Sequence, residues 1–300
     1  MAVQQEFWKR EIINRLPQVN PHMALAVNAD DMVLGGSVVH IPQAGSGTTT
    51  LINPAYPLTT VQRSDTDVTY ALDTFAKPVT AVTAIEQGEI SYQKMESVME
   101  QELGSLLDDV GTWLIYRWAL GLPTTSAFRV PTTGGNRAAG APGATGTRKR
   151  ATEADIIAAK KVLDDALVPM KGRVLMLSSS HYNDLLLDTN LKNYFQNVVA
   201  IAKGEIPELY GFKIMWRNTV VRVAAANTVK APNAANAVDD NEASLIWHPQ
   251  MVEKAIGDVR VFERRNDPEW QGDLVSFSIK NGGRRRRGDN VGVALLTDAA

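Results

Sequence analysis

The 300 residues contain no cysteine, which excludes disulfides, thiolate nucleophiles, iron–sulfur clusters and cysteine-based zinc sites and leaves the redox compartment open. No run approaches the roughly eighteen consecutive apolar residues that a membrane helix needs, so no membrane partner is expected. Neither sign of charge is in excess. A formal net charge of -2 excludes nucleic-acid binding by bulk positive charge but leaves local basic clusters open. Only four histidines occur, His22, His40, His181 and His248, and none forms an HExxH or an i, i+4 metal pair. The glycine-rich stretch from Gly140 through Gly143 to Gly146 lacks the spacing of a phosphate-binding loop, and Pro142 removes a donor where amides should point at phosphate. No cofactor or metal is expected. The first residues, with Gln4, Gln5 and Glu6 ahead of any apolar run, do not read as a secretion signal, so cytosol-like surroundings are expected.

What is present is 44% hydrophobic and 21% charged sequence, the balance of a globular chain long enough for two modest domains. The most informative stretch is Ile90 to Leu120. Met95, Met99, Leu103, Leu106, Val110, Trp113 and Leu114 recur three or four residues apart, while Glu96, Glu100, Glu102, Asp108 and Asp109 mostly fall off that stripe. The spacing predicts a helix of roughly 40 Å, long enough to act as a strut, stopped by Gly121 and Pro123.

Ahead of it, residues 5 to 16 predict a short amphipathic helix with Phe7, Trp8, Ile12 and Leu16 on one side, broken by Pro17 and Pro21. Two aromatics on so short a helix need a surface to dock on, either the body of this chain or another copy. Residues 37–41 and the alternating Val68, Tyr70 and Leu72 predict a long hairpin whose tip, residues 43–60, is rich in Gly, Thr and Pro. A long hairpin exposes two ladder edges and is marginal alone.

After the strut, residues 122–150 hold only Phe128 and Val130 as apolar anchors and read as a mobile surface loop. Thr152 with Asp155 opens a helix running to about Leu167. The remainder reads as a strand at Arg173–Leu177, helices at His181–Leu187 and Leu191–Ala202, strands at 211–216, 220–225 and 243–247, a short helix at Met251–Ala255, and strands at 259–263 and 274–279. Without strict βαβ alternation this is an α+β body.

Ser180 beside His181 resembles half of a nucleophilic site, yet serines between an apolar strand and a helix are the ordinary N-cap, and no Gly-x-Ser-x-Gly elbow surrounds them. The paired acids Asp239 and Asp240 lack the oxygen spacing of a calcium loop. Two basic clusters remain, Arg148-Lys149-Arg150 and Arg284-Arg285-Arg286-Arg287 between glycines. For the second, three readings stand: a solvated turn, an inter-subunit ion-pair patch, or contacts to DNA phosphates.

Four passages, in order, resemble the tailed-bacteriophage major capsid protein family with the Hong Kong 97-type fold, which encapsulin shells share. They are Leu72 to Val79 leading through Glu86 and Glu89–Tyr92 into the long helix; Arg173 to Leu187; Gly204 to Ile214; and the tail from Gly272 through Gly292 to Leu296. The resemblance implies an N-terminal arm at 1–35, an extended β-hairpin loop at 36–76, a peripheral domain with the spine helix and a flexible loop at 77–150, an axial domain at 151–250, and peripheral return strands at 251–300. It implies a non-enzymatic virion protein, assembled in the host cytoplasm as hexamers and pentamers into an icosahedral head around double-stranded DNA. A separate scaffolding protein is implied, since the strut starts too early for a fused scaffolding domain, along with a portal protein and a cement or decoration protein. Candidate inter-subunit contacts are Phe7, Trp8, Ile12, Tyr56, Arg63, Asp239 and Asp240, with Arg284, Arg285, Arg286 and Arg287 for DNA or inter-subunit ion pairs. No lysine lies between Lys9 and Lys77, so the loop-lysine isopeptide of some relatives is excluded. Two other readings stay open: an encapsulin-like compartment around a cargo protein, and a small-molecule enzyme using Ser180 and His181.

Overall fold

The computed structural model describes residues 2–34, 37–44, 49–58, 60–83, 94–189, 191 and 208–299. The expected helix at 191–202, the passage 204–207 and the entry to the strut at 84–93 lie outside the described residues.

The amphipathic stripe becomes the spine helix, Lys94–Ala119, labelled α2 after the N-terminal helix α1, Ala2–Val19. Leu103, Leu107, Val110, Leu114, Ile115 and Trp118 of α2 are fully or almost fully buried. They face two sheets at once. One sheet is built on the long antiparallel pair Val252–Asp267 and Gly272–Arg285, flanked by the short strands Val27–Asn28, Asp73–Ala76 and Thr80–Thr83. The other has eight strands, among them Arg129–Pro131, Arg173–Ser178, Phe212–Arg217, Val221–Val223, Asn241–Trp247 and Val293–Thr297. One apolar cluster runs from α2 into both, joining Val174, Leu245 and Trp247 to Val261, Phe277 and Ile279.

The far face of the eight-stranded sheet is covered by α3, Glu153–Asp165, and α4, Ser179–Leu187. Strand Arg173–Ser178 is therefore buried along its whole length, which explains its unbroken apolar run. The expected caps are present. The Thr152 amide donates to Asp155 Oδ2 at 2.9 Å, and Ser178 Oγ accepts the His181 amide at 3.3 Å.

Several expectations are corrected. Helix α1 continues past Pro17 to Val19, because a proline so near the end costs one backbone bond, and the Asn20 amide still donates to the Leu16 carbonyl. Residues 251–255 form no α-helix; a 3-10 turn at Pro249–Met251 leads into the strand beginning at Val252, whose ladder with Gly282–Arg285 outweighs local helix preference. Residues 122–150 are not a loose loop. Arg129–Pro131 pairs in parallel with Val293–Thr297, and Asn136–Ala138 forms a hairpin with Thr147–Lys149. The closing strand Val293–Thr297 lies in the eight-stranded sheet beside Asn241–Trp247.

Helix α2 is fixed at both its waist and its end. At the waist, the chain after α1 crosses so closely that a Cβ at Gly111 would overlap Asn20. Asn20 Nδ2 donates to the Leu107 carbonyl at 2.7 Å, and His22 Nε2 lies 3.2 Å from the Gly111 carbonyl, edge-on to Trp118. At the end, Gly121 takes φ +72° and Arg285 Nη1 donates to the carbonyls of Trp118 and Leu120 at 2.6 and 2.7 Å. Burial, with Arg284 beside it, pushes the Arg285 guanidinium down to about 10, so it stays charged at neutral pH.

Two outcomes follow. Arg285→Met, which strands two carbonyls, is expected to lower the unfolding free energy by about 2–3 kcal/mol in urea titration, whereas exposed Arg287→Ser costs less than about 1 kcal/mol. Burial, then the charge of Arg217, pushes His22 down to about 3. The unfolded chain thus binds a proton there that the folded one refuses, so this stability is full above the ordinary histidine value and is lost as pH falls toward 3. His22→Gln, which keeps a donor for Gly111, is expected to flatten that acid limb of the stability curve. An unchanged limb would contradict the assignment.

Candidate assembly surface

The hairpin of Val38–Gln43 with Thr66–Ala71 forms in the expected register, Val39 opposite Tyr70 and Ile41 opposite Val68. Its root is buried and its tip is not. Leu72 inserts where a Cβ on either Gly257 or Gly282 would collide with it, and Val39, Ala29 and Ala255 complete a small apolar cluster. Beyond the strands the tip presents Leu51, Ile52, Tyr56, Leu58 and Val61 to solvent, with Ile52 87% and Tyr56 82% exposed. So many large apolar groups on one projection make it a candidate contact surface.

The arginine run clamps this hairpin and the spine. Arg284 Nη1 donates to the Thr69 carbonyl at 2.9 Å, and Gln43 Nε2 donates to the Arg286 carbonyl. Buried Glu253 lies 3.3 Å from Arg286 and accepts from the Tyr70 hydroxyl at 3.2 Å. Burial pushes the Glu253 carboxyl up despite both partners, and burial followed by the Glu253 charge pushes the Tyr70 phenol up. Arg287 alone of the four turns outward, onto exposed Asp289. Gly282 and Gly283 do not make a turn. They sit in the paired strand, where a Cβ at Gly283 would meet Leu114 and the Glu253 carbonyl, so their smallness lets spine and loop root approach the sheet.

Below the root, Asp73 accepts from Trp113 Nε1 at 2.7 Å and from both Nε and Nη2 of Arg117 at 2.7 and 2.6 Å. Lys77 reaches Ser105 at 2.8 Å and Asp109 at 3.1 Å. The extended segment is thus keyed to α2 by charge as well as by packing.

The other candidates separate. Tyr56 is exposed on the tip, and Arg63 pairs with its neighbour Asp65 at 2.7 Å. Trp8 is half-buried against the core, and the Phe7 side chain lies outside the described residues. Ile12 is 0% exposed inside the chain's own core: periodicity identified its apolar face but not what that face meets. Asp239 is exposed, but Asp240 is 1% exposed, held by Lys230 at 2.7 Å and the Ala237 amide at 3.0 Å, and serves its own loop. Ser180 and His181 are not partners. The imidazole is fully buried, with its nitrogens 2.7 Å from Ser244 Oγ and 2.8 Å from Asp298 Oδ1.

Sequence reasoning missed Gln43, Asp73, Arg117 and Glu253. A polar residue gives no periodic signal of its own, although the paired glycines before the arginines marked the close approach.

Residues 117–280 match the family model described as phage capsid protein. No curated protein matches the sequence. Among solved structures, a chain of Mycobacterium phage Che8 is 18% identical with a TM-score of 0.61 over 91% of this chain and 89% of that one. A chain of the capsid of Cyanophage P-SCSP1u is 18% identical, with a TM-score of 0.64 over 91% and 86%. The virus-like particle from Pyrococcus furiosus is 12% identical, with a TM-score of 0.55 over 98% and 99%. These likenesses establish the Hong Kong 97-type fold, and with the family match they fix the identity: the chain belongs to the phage capsid protein family and is a major capsid protein, a structural, non-enzymatic subunit of an icosahedral phage shell.

Proposed function

We propose that this chain assembles as hexamers and pentamers into a head that encloses double-stranded DNA, the exposed hairpin tip of each copy lying on its neighbours. The observation that carries this reading is the contrast within one hairpin, buried and ion-paired at the root, apolar and bare at the tip. Each large apolar side chain covered on assembly contributes about 1.5–3 kcal/mol, so weak contacts summed around a closed ring suffice.

In this reading the segments keep the expected parts: an arm at 1–35, the loop at 36–76, a peripheral part carrying α2 and the long strand pair, and an axial part built on the eight-stranded sheet. Half-buried Trp8, the tip residues Tyr56 and Arg63, and exposed Asp239 remain the contact candidates in this reading, with the Phe7 side chain outside the described residues. Of the arginines, Arg287 is the one whose side chain is turned outward for a phosphate or a neighbouring carboxylate. Assembly in the host cytoplasm, a separate scaffolding protein, a portal and a cement protein complete the proposal on the strength of the resemblance.

Replacing residues 45–62 by a short glycine–serine turn is the test. The shortened chain is expected to keep its circular dichroism and thermal transition while negative-stain microscopy shows no closed shells. Normal shells from it would remove the proposed role of the tip. The content of particles made by the full chain during infection, DNA or a cargo protein, decides between a head and an encapsulin-like compartment.

A further inference from the structure

The long strand Val252–Asp267 has an open side. Its inner side is laddered to Gly272–Arg285, while its outer side pairs with Val27 and Asn28 at Glu253 and Lys254 and gives the Ile256 amide to Asp30. Among the described residues, no strand lies against that outer side from Gly257 onward. Register shifts at Ile256–Val259 and Arg264–Asp267 bound a regular stretch, Val259 to Arg264, whose outward N–H and C=O groups have no ladder partner.

An edge of this length is a template for another strand, and its side chains say which one. Val259 and Val261 are buried, whereas Asp258, Arg260, Phe262 and Arg264 alternate with them and are exposed. Arg260 pairs with Asp258 and Arg264 with Asp267, each within its own strand, and the two guanidinium-bearing side chains are 63% and 71% exposed. Phe262 borders a groove of about 650 Å³ on the open face, lined also by Val79 and Leu274.

The strand that this edge fits is a second copy of itself. Two such edges laid antiparallel about a two-fold axis at Val261, open faces on the same side, put Asp258 of each copy opposite Arg264 of the other and Arg260 opposite Phe262. Opposite charges and cation–aromatic pairs then meet on both sides of the axis. Moving the axis to Arg260 sets that arginine against itself, and moving it to Phe262 sets Arg260 against Arg264, where like charges directly opposite are destabilising. The charges therefore select one register.

We propose that Val259–Arg264 is the seat of a symmetric contact in which two copies join these sheets edge to edge about a two-fold axis at Val261. The contact rests on the shell reading above: an isologous pairing closes on itself, so it builds no ring and instead fastens copies of adjacent rings to one another.

The chain has no cysteine of its own, so introduced thiols report on this contact alone. In a chain carrying both Asp258→Cys and Arg264→Cys, the two thiols lie about 20 Å apart along the strand, beyond disulfide reach. The proposed register brings each to about 5 Å, Cα to Cα, from its mate on the other copy. Oxidised particles of this double variant, seen as closed shells by negative-stain microscopy, are expected to run mainly as covalent dimers on a non-reducing gel, and either single variant as monomers. Closed shells that give monomers from the double variant would assign the edge to another occupant and overturn the proposal while leaving the shell reading intact. Dimers from a single variant, or a ladder of longer products, would overturn it as a wrong register or a head-to-tail contact. If the double-cysteine chain forms no shells, charge exchange decides. Asp258→Arg is expected to lower shell yield about tenfold, because like charges then meet twice at each axis, and adding Arg264→Asp is expected to restore it. Equal yields from those two chains would refute the edge contact.

Discussion

Burial of α2 between two sheets is the constraint on which the rest of the molecule depends. Six of its side chains are fully or almost fully removed from water, and at about 1.5–3 kcal/mol each their burial is on the order of 10 kcal/mol, comparable to the whole net stability of a domain. Because Val174, Leu245 and Trp247 of one sheet share that cluster with Val261, Phe277 and Ile279 of the other, neither sheet keeps its core without the helix. A rigid body results, and a rigid body can carry a projection that has no core of its own.

The projection is then held by polar chemistry. Asp73 fixes it to Trp113 and Arg117, Gln43 and Thr69 tie it to the arginine run, and Leu72 fills the space left by two glycines. Directional bonds set the angle at which the hairpin leaves the body, while the bare apolar tip supplies adhesion without direction. Dividing the two tasks between root and tip suits a subunit that must meet several neighbours in defined poses.

Much of this was legible in the residues. The period of α2, its glycine stop, the two caps, the apolar strand at 173–178 and the hairpin all follow from local rules that tertiary contacts reinforce. The failures share a cause. The arginines left three readings open, a solvated turn, an inter-subunit patch or DNA contacts, and none placed them on the spine, because sequence does not reveal that Arg285 faces the end of α2 from 165 or more residues away. Residues 122–150 read as loose because their anchors are Arg137, Arg148 and Asp155, polar groups whose partners lie far along the chain or across it. Of the two docking surfaces left open for α1, the chain's own core takes Ile12 and Leu16, and the bare apolar groups are those of the hairpin tip.

The central claim is that one helix-centred core stabilises the isolated subunit while the tip waits for a neighbour. Hydrogen exchange on unassembled and assembled subunits tests it most directly. Amides of residues 103–119 should be the slowest to exchange in both states, and those of 49–61 fast in the free subunit and slowed on assembly. Slow exchange at the tip of the free subunit, or early exchange along the spine helix, would contradict the account.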